Sequence, residues 1–582
     1  MFLPTTKEEM QKLGWEKPDI ILVSGDVYID SPFIGAAVIG NWLTAHGFKV
    51  AVIAQPDITT DDIARLGEPA LFWGVSAGAM DSFVSNYTSL NKFRNDDDLT
   101  PGGINNRRPD RASMVYTNII RKHFKNTKPI VLGGVEASLR RIVHYDFKDN
   151  DLRRSILFDA KADIISYGMG EKSMLELARN IKEGKDWRGI KGICYISKEK
   201  PENALEIPSF EECRDNKDKF FEAFASFYKN TCSKNEKILC QKHAERYLVQ
   251  NPKQPALTSK ELDEIYDLDY TREVHPYYAK LGKVKAQDTI KFSITTHRGC
   301  FGECNFCSIA VHQGKEVVSR SEESVLNEAR KITKLKDFKG YITDLGGPTA
   351  NMYKTQCKVN TNAGSCENKR CLFPKTCENL VAGHDKQIEL LTKVSKIEGV
   401  KKVFISSGIR YDMICADVAN GQNYLDTLLE NNISGQMKIA PEHIDDKVLA
   451  LMGKPNSAVL KHFIKMFQNS KSEKLRVKSE DTAEKKDSFP ATALGNDKLS
   501  KLFLTYYFIA AYPGCGEAEM RALRGFINTN LKTRPEQIQI FTPTPSTIAT
   551  MMYYTEKDLN GNKIFVEKDR NSKQKQKRII CA

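Results

Sequence analysis

The chain has no run of about 18 apolar residues, so no segment is a candidate bilayer-spanning helix. Its most apolar stretch, Leu502 to Tyr512, is too short for that purpose. The opening residues, MFLPTTKEEMQKLGW, lack a basic segment followed by an apolar one, so no secretory signal is expected. No G-x-G-x-x-G follows the first predicted strand, which leaves a dinucleotide site unsupported. These absences predict a soluble cytoplasmic protein with no membrane partner. In that compartment thiols stay reduced, and clustered cysteines read as metal ligands rather than disulfides.

What is present is length, positive charge and β-α alternation. The 582 residues suit about three to five domains. The net charge of +13 admits a nucleic-acid partner. Much of the excess, however, lies in two polar stretches, a Lys-rich insert at 470–498 and a basic tail at 556–582. The tail composition, KDRNSKQKQKR, predicts disorder.

Residues 1–200 alternate short apolar runs, such as DIILV at 19–23, with helical patterns. The pattern predicts an α/β fold with an open, doubly wound parallel sheet of flavodoxin or cobalamin-binding-like type. Ligands of such sheets sit at the carboxyl ends of the strands. Ser24-Gly25-Asp26, Gly74 to Gly78 and Gly133-Gly134-Val135-Glu136 fall there, either as ligand contacts or as tight strand-to-helix turns. Residues 201–289 are charged and read as a helical connector. A second series fills 290–555, with six predicted strands at 290–295, 340–345, 402–405, 436–439, 503–509 and 537–541. Six βα units make a partial barrel, and chemistry belongs at the C-terminal ends of its strands.

Cys300, Cys304 and Cys307 follow the first barrel strand with the spacing C-x3-C-x2-C. Random placement of 14 cysteines gives this spacing with an expectation of roughly 0.008. Three thiolates hold three irons of a four-iron cluster and leave the fourth iron open. The alternatives at this point are a zinc site, a disulfide with a spare thiol, or buried thiols. Gly346 and Gly347 end the second strand and let a ligand approach the backbone closely. Phe306 could pack on a flat ring or on the core.

The segments HRGCFGECNFCSIAVHQGK, TDLGGPTANMY, SSGIRYD, KIAPEH and FIAAYPG together resemble the YgiQ-type radical S-adenosylmethionine (SAM) family, from about residue 15 to 555. The resemblance implies an enzyme whose [4Fe-4S] cluster cleaves SAM reductively, so that hydrogen is abstracted from a substrate of unknown identity. It implies Cys300, Cys304 and Cys307 as cluster ligands and Phe306 as an adenine neighbour. Gly346 and Gly347 would be the counterpart of the superfamily's GGE segment, with Pro348 in its third position. An electron donor such as flavodoxin or ferredoxin is the implied partner. The cobalamin-ligating D-x-H-x-x-G motif is absent, so the resemblance implies an N-terminal fold without bound cobalamin.

A second set, Cys357, Cys366, Cys371 and Cys377, lies on a loop rich in Gly, Asn and Lys. Four soft ligands suit an auxiliary iron–sulfur cluster, a zinc ion, or neither. Asp344, Ser406, Arg410, Glu442 and His443 end barrel strands and are candidates to touch SAM or substrate; Arg410 suits a carboxylate or phosphate. Ser406 and Arg410 are the two expected at the cofactor, and no residue is assigned to catalysis. Two other classes fit the same residues: an iron–sulfur electron carrier or sensor, and a basic nucleic-acid-binding protein with structural metal.

Overall fold

The N-terminal apolar runs become strands because both of their faces are covered by helices, which favours continuous rather than alternating hydrophobicity. In the computed structural model, Ile20–Ser24 and Val50–Ala54 are buried along their whole length. The structure describes all residues except 233–235, 360–365, 367–368, 485–500, 532–534, 536 and 582. Val50–Ala54, Ile20–Ser24, Phe72–Ser76, Ile130–Gly133 and Ile164–Ser166 lie side by side in that order, all parallel. This is the doubly wound order, with its ligand edge at Ser24, Ser76, Gly133 and Ser166.

The sheet does not stop near residue 200. Ile193–Ser197, Arg246–Gln250, Leu239–His243 and Leu205–Ile207 extend it to nine strands. The expectation of a helical connector at 201–289 is therefore corrected. Helices Lys217–Cys232 and Ser259–Tyr266 are there, but three strands lie between the start of the segment and residue 250. The hairpin that closes Leu239–His243 on Arg246–Gln250 pairs His243 with Arg246. Its two-residue turn is Ala244-Glu245, with Ala244 at φ +51°, and lacks the Asn-Gly or Asp-Gly that marks such a turn in sequence.

Six short parallel strands form the barrel. They are Ser293–Thr295, an interrupted second strand of Tyr341–Ile342 and Asp344–Gly346, Lys402–Val403, Gln436–Glu442, Phe503–Ala510 and Gln537–Ile540. Ile294 pairs with Leu345, Tyr341 with Lys402, Met437 with Leu504 and Phe508 with Ile538. A parallel bridge from Ile409 to Ile439 links the third strand's turn to the fourth. Among the described residues no pairing joins the first strand to the last, so the barrel is open.

The C-terminal tail is a second correction. Arg570–Cys581 is a helix, and Lys573, Gln576 and Ile580 on it are buried. Their spacing of three and four residues puts them on one face. Gln576 Oε1 accepts the Ala511 N–H at 3.0 Å, and Lys573 Nζ donates to Tyr553 Oη at 2.8 Å. Of the Lys-rich insert, the part up to Glu484 continues the helix Ser457–Glu484, and the rest lies outside the described residues. Among the described residues no helix is long and apolar enough to cross a membrane.

The Ala511 amide sits at φ +55° and is buried, so its hydrogen bond to Gln576 has no substitute from water. Gln576→Ala is expected to lower unfolding stability by about 1–3 kcal/mol in denaturant titration. An unchanged midpoint would show that the tail helix does not support the barrel.

Candidate functional site

The first barrel strand leads through Thr296, His297 and Arg298 into the Cys loop. Arg298 is buried. Its guanidinium pairs with Glu171, at the start of helix Glu171–Lys182, and lies 5.1 Å from the centre of the Tyr266 ring. Gly299 follows at φ +80°; a Cβ there would lie 1.7 Å from the Glu316 carbonyl oxygen, so only glycine fits. The far end of the loop, helix Ile309–His312, is held by His312 Nδ1 at 2.9 Å from Ser138 Oγ of the N-terminal domain. The middle is held by Asn305. Its N–H donates to Met452 O at 2.9 Å, its Nδ2 donates to Leu451 O at 2.7 Å, and its carbonyl accepts the Ala549 N–H at 2.8 Å. Nothing in the residue type or spacing marks Asn305 for this task.

Turns after three different strands meet at the thiols. Cys300 Sγ lies 3.4 Å from Thr349 Oγ1, just beyond Gly346-Gly347, and accepts the Gly302 N–H at 3.3 Å. Arg410 Nη1 donates to Cys304 Sγ at 3.3 Å. The Arg410 guanidinium is buried and doubly bonded to Asp412, at 2.8 and 2.6 Å. Its charge thus faces the Cys loop with one counter-ion already in place. Burial pushes the Cys307 thiol up to about 12, with the Cys304 thiol adding to the effect. Burial also raises Cys300, while the Thr349 hydroxyl and the Arg410 charge lower it. Loading metal here therefore releases protons, and Arg410 favours the thiolate form.

Gly346 and Gly347 border the same region. The Gly346 carbonyl accepts the Thr296 N–H at 2.7 Å. A Cβ on Gly347 would lie 2.6 Å from the His297 ring. That ring is fully buried, with Nδ1 at 2.9 Å from Thr296 Oγ1, and burial holds its pKa down at about 4. Among the described residues its Nε2 has no partner. The remaining sequence candidates divide. Ser406 is exposed and donates its hydroxyl to Thr343 O at 2.7 Å, whereas the neighbouring Ser407 lines a cavity with Asp344. Phe306 packs edge-on against Tyr512, ring centres 6.2 Å apart. His443 accepts the Asp445 N–H at 3.0 Å and lies 3.6 Å from Cys515 Sγ, as a satisfied structural group. Glu442 sits at a register shift in its strand with φ +69°, and burial raises its carboxyl pKa. Glu442 is thus a buried carboxyl at a left-handed backbone position, felt electrostatically at Cys307.

A cavity of about 470 Å³ separates the ligand edge of the N-terminal sheet from the barrel mouth. Ser24, Ser76, Gly133 and Gly134 line one side, and Thr295, Asp344, Gly346, Gly347 and Ser407 the other. Gly25 and Gly78 are tight-turn glycines, since a Cβ at either would lie 2.2 Å from Ala77 O or Asp26 Oδ1. Glu136 turns away and accepts the Ser82 and Ser113 N–H groups, at 2.8 and 3.1 Å.

The second cysteine set docks onto the first loop. Arg370 Nη1 donates to Asn305 Oδ1 at 2.7 Å. The Cys377 N–H donates to Cys371 O at 2.8 Å, and Cys357 pairs with Leu380. Burial pushes the Cys371 thiol up to about 12, and the nearby thiols of Cys357, Cys366 and Cys377 push the same way. Among the described residues no three His, Cys, Asp or Glu side chains are gathered tightly enough for a single metal ion. A cubane does not ask for that, because each thiolate binds a different iron. The Cys300 loop, with soft donors and Arg410 beside them, fits such a cluster.

Comparison with known proteins identifies relatives of the whole chain. The radical SAM N-terminal family matches residues 2–293. A UPF0313 protein of Fusobacterium nucleatum is 52% identical over 582 residues, covering 100% of this chain and 98% of the relative. One from Thermotoga neapolitana is 46% identical, with coverage of 100% and 98%. Among solved structures, the radical SAM methyltransferase TsrM of Kitasatospora setae, with cobalamin and a [4Fe-4S] cluster bound, is 13% identical with a TM-score of 0.49, covering 94% of this chain and 87% of that one. The cobalamin-dependent radical enzyme OxsB, with aqua-cobalamin bound, is 12% identical with a TM-score of 0.48, covering 94% and 57%.

A Cβ on Gly302 would lie 2.8 Å from Arg410 Nη1 and 3.2 Å from Cys300 Sγ. Arg410 is pinned by Asp412 and cannot swing clear. Gly302→Ala is therefore expected to weaken iron retention about tenfold or more in chelator competition, as loss of a supporting contact at a metal site does. Wild-type retention would show that Arg410 does not support the loop.

Proposed function

From the membership of this chain in the UPF0313 family of radical SAM proteins, we propose that the Cys300 loop holds a [4Fe-4S] cluster whose open iron binds SAM at the barrel mouth. The observation that carries this reading is the meeting of Cys300, Cys304, Thr349 and Arg410 from the turns after three successive strands. A bound cluster supplies the electron for reductive cleavage of SAM and so for hydrogen abstraction.

The chain's own contribution is placement. Cys300, Cys304 and Cys307 present three thiolates and withhold a fourth ligand. Arg410 keeps positive charge on the thiolates without a mobile counter-ion. The Gly346-Gly347 edge offers backbone to the amino group of SAM, a task that falls to backbone because Pro348 stands where the superfamily has Glu. His297, neutral and buried against Gly347, keeps that edge from shifting. Glu442, felt electrostatically at Cys307, is the ionic group offered to SAM or substrate, while Arg410, with its fork taken by Asp412, serves the thiolates.

The missing D-x-H-x-x-G motif does not decide what the N-terminal sheet holds. The sheet's ligand edge opens on the 470 Å³ cavity, so a corrinoid there is a second cofactor consistent with the fold, and the expectation of a sheet without one is set aside. The Cys357, Cys366, Cys371 and Cys377 set is read as an auxiliary metal site, an iron–sulfur cluster or zinc, docked against the catalytic loop.

Anaerobically reconstituted protein is expected to convert SAM to 5′-deoxyadenosine in the presence of a strong reductant, and Cys304→Ala to form none. Normal cleavage by that variant would overturn the role of the loop. Metal analysis separates the two sites. About eight irons per chain are expected if the second set holds a four-iron cluster, falling to about four in Cys371→Ala. About four irons with zinc in the wild type would assign zinc instead.

A further inference from the structure

A second cavity of about 170 Å³ opens behind the Cys loop, on the opposite side of helix Ile309–His312 from the larger one. Its wall includes Cys304, Cys307 and, from the N-terminal domain, Arg141. Arg141 is 2% exposed. Every other buried arginine has a carboxylate within ion-pair distance: Arg108 with Asp26, Arg140 with Asp81, Arg272 and Arg320 with Glu328, Arg298 with Glu171, and Arg410 with Asp412. Arg141 has none among the described residues.

Arg141 is nonetheless held firmly. Its Nε donates to Gln250 Oε1 at 2.9 Å and its Nη1 to the Ser138 carbonyl. The rings of Tyr167 and Phe227 flank it, each centre 4.7 Å from the guanidinium carbon. Nη2 is left to the cavity: among the described residues it has no hydrogen-bond partner, and it is not among the atoms closed off from solvent. Lysines on the same wall already have counter-charges, Lys253 with Glu316 at 3.5 Å, Lys315 with Glu303 at 2.7 Å and Lys172 with Glu261 at 2.7 Å. Burying a cation with no carboxylate at ion-pair distance is costly, and burial pushes the Arg141 pKa down; Glu236 on the same wall acts on it from farther away, but burial raises the pKa of that carboxyl and so weakens it as a counter-charge. An anion in the cavity would offset that cost, and a guanidinium braced by two rings loses little freedom on binding it.

We propose that this cavity is a binding site for a small oxyanion, a carboxylate or a phosphate group, anchored on Arg141 and separate from the SAM site. The test is isothermal titration of the reconstituted protein with succinate and, separately, with inorganic phosphate. Saturable binding of at least one is expected, and which one binds identifies the group. Arg141→Gln should weaken it by about tenfold or more. Because Arg141 is buried and its loss could unfold the domain, Ala256→Trp provides a second variant; Ala256 lies exposed at the mouth, where a ring would block entry without disturbing the buried contacts. It should weaken binding as much. Absence of saturable binding by either anion, or wild-type binding in either folded variant, overturns the proposal.

Discussion

The structure depends on the clamping of one loop. The Cys loop must present three thiols in a fixed arrangement, yet it has almost no secondary structure of its own. It is fixed from outside at both ends and in the middle. Arg298 ties its start to Glu171 and Tyr266, His312 ties its end to Ser138, and Asn305 ties its centre to Leu451, Met452 and Ala549. The ends are anchored on the N-terminal domain and the centre on the barrel. A buried ion pair such as Arg298–Glu171 is weak evidence for net stability, but removing one partner costs about 3–5 kcal/mol. The pair therefore acts as a register pin: it makes alternative placements of the loop expensive. The N-terminal segment thus helps to position the Cys loop, quite apart from any ligand of its own.

The electrostatics follow from that placement. Packing the loop between two domains buries its thiols, and burial favours the neutral form, as the raised pKa values of Cys300 and Cys307 show. A cluster site needs thiolates. Arg410 supplies the opposing charge beside Cys304, and Asp412 fixes its guanidinium in place. This also changes what Arg410 is for. Its fork geometry suggested a partner for carboxylate or phosphate on a ligand, but Asp412 occupies that fork and Cys304 takes Nη1. Among the described residues, the buried arginine with no carboxylate at ion-pair distance lies elsewhere, at Arg141.

Much of this was legible in sequence, and the failures have physical reasons. All six barrel strands were readable because each is a short apolar run ending in a small or polar turn, and the Cys loop does follow the first of them. The hairpin at 239–250 was not readable: its turn uses Ala244-Glu245, where tertiary packing and not turn chemistry sets the left-handed residue. The tail helix was hidden because its inward face carries Lys573 and Gln576, polar residues that are buried through specific partners rather than through hydrophobicity. Ser406 and Ser407 show the resolution limit of strand-end reasoning. Both follow the third strand, but one faces solvent and the other the cavity, and sequence does not say which. Asn305 shows the other limit, since a residue that anchors by accepting and donating to distant backbone has no local pattern.

The two cavities share a wall, and that wall is the end of the Cys loop. His312, Gln313 and Arg298 line both. The segment between them is short, with the four-residue helix Ile309–His312 beginning two residues after Cys307. It packs against the N-terminal helix Gly134–Leu139, where His312 meets Ser138, a serine that also accepts the Gly168 N–H at 3.0 Å, while Gly168 itself lies in the wall of both cavities. Both cavities thus abut the few residues that follow Cys307. The Cys loop is therefore the element that borders the N-terminal sheet edge, the barrel mouth and the Arg141 cavity at once, and its position is set by packing against all three.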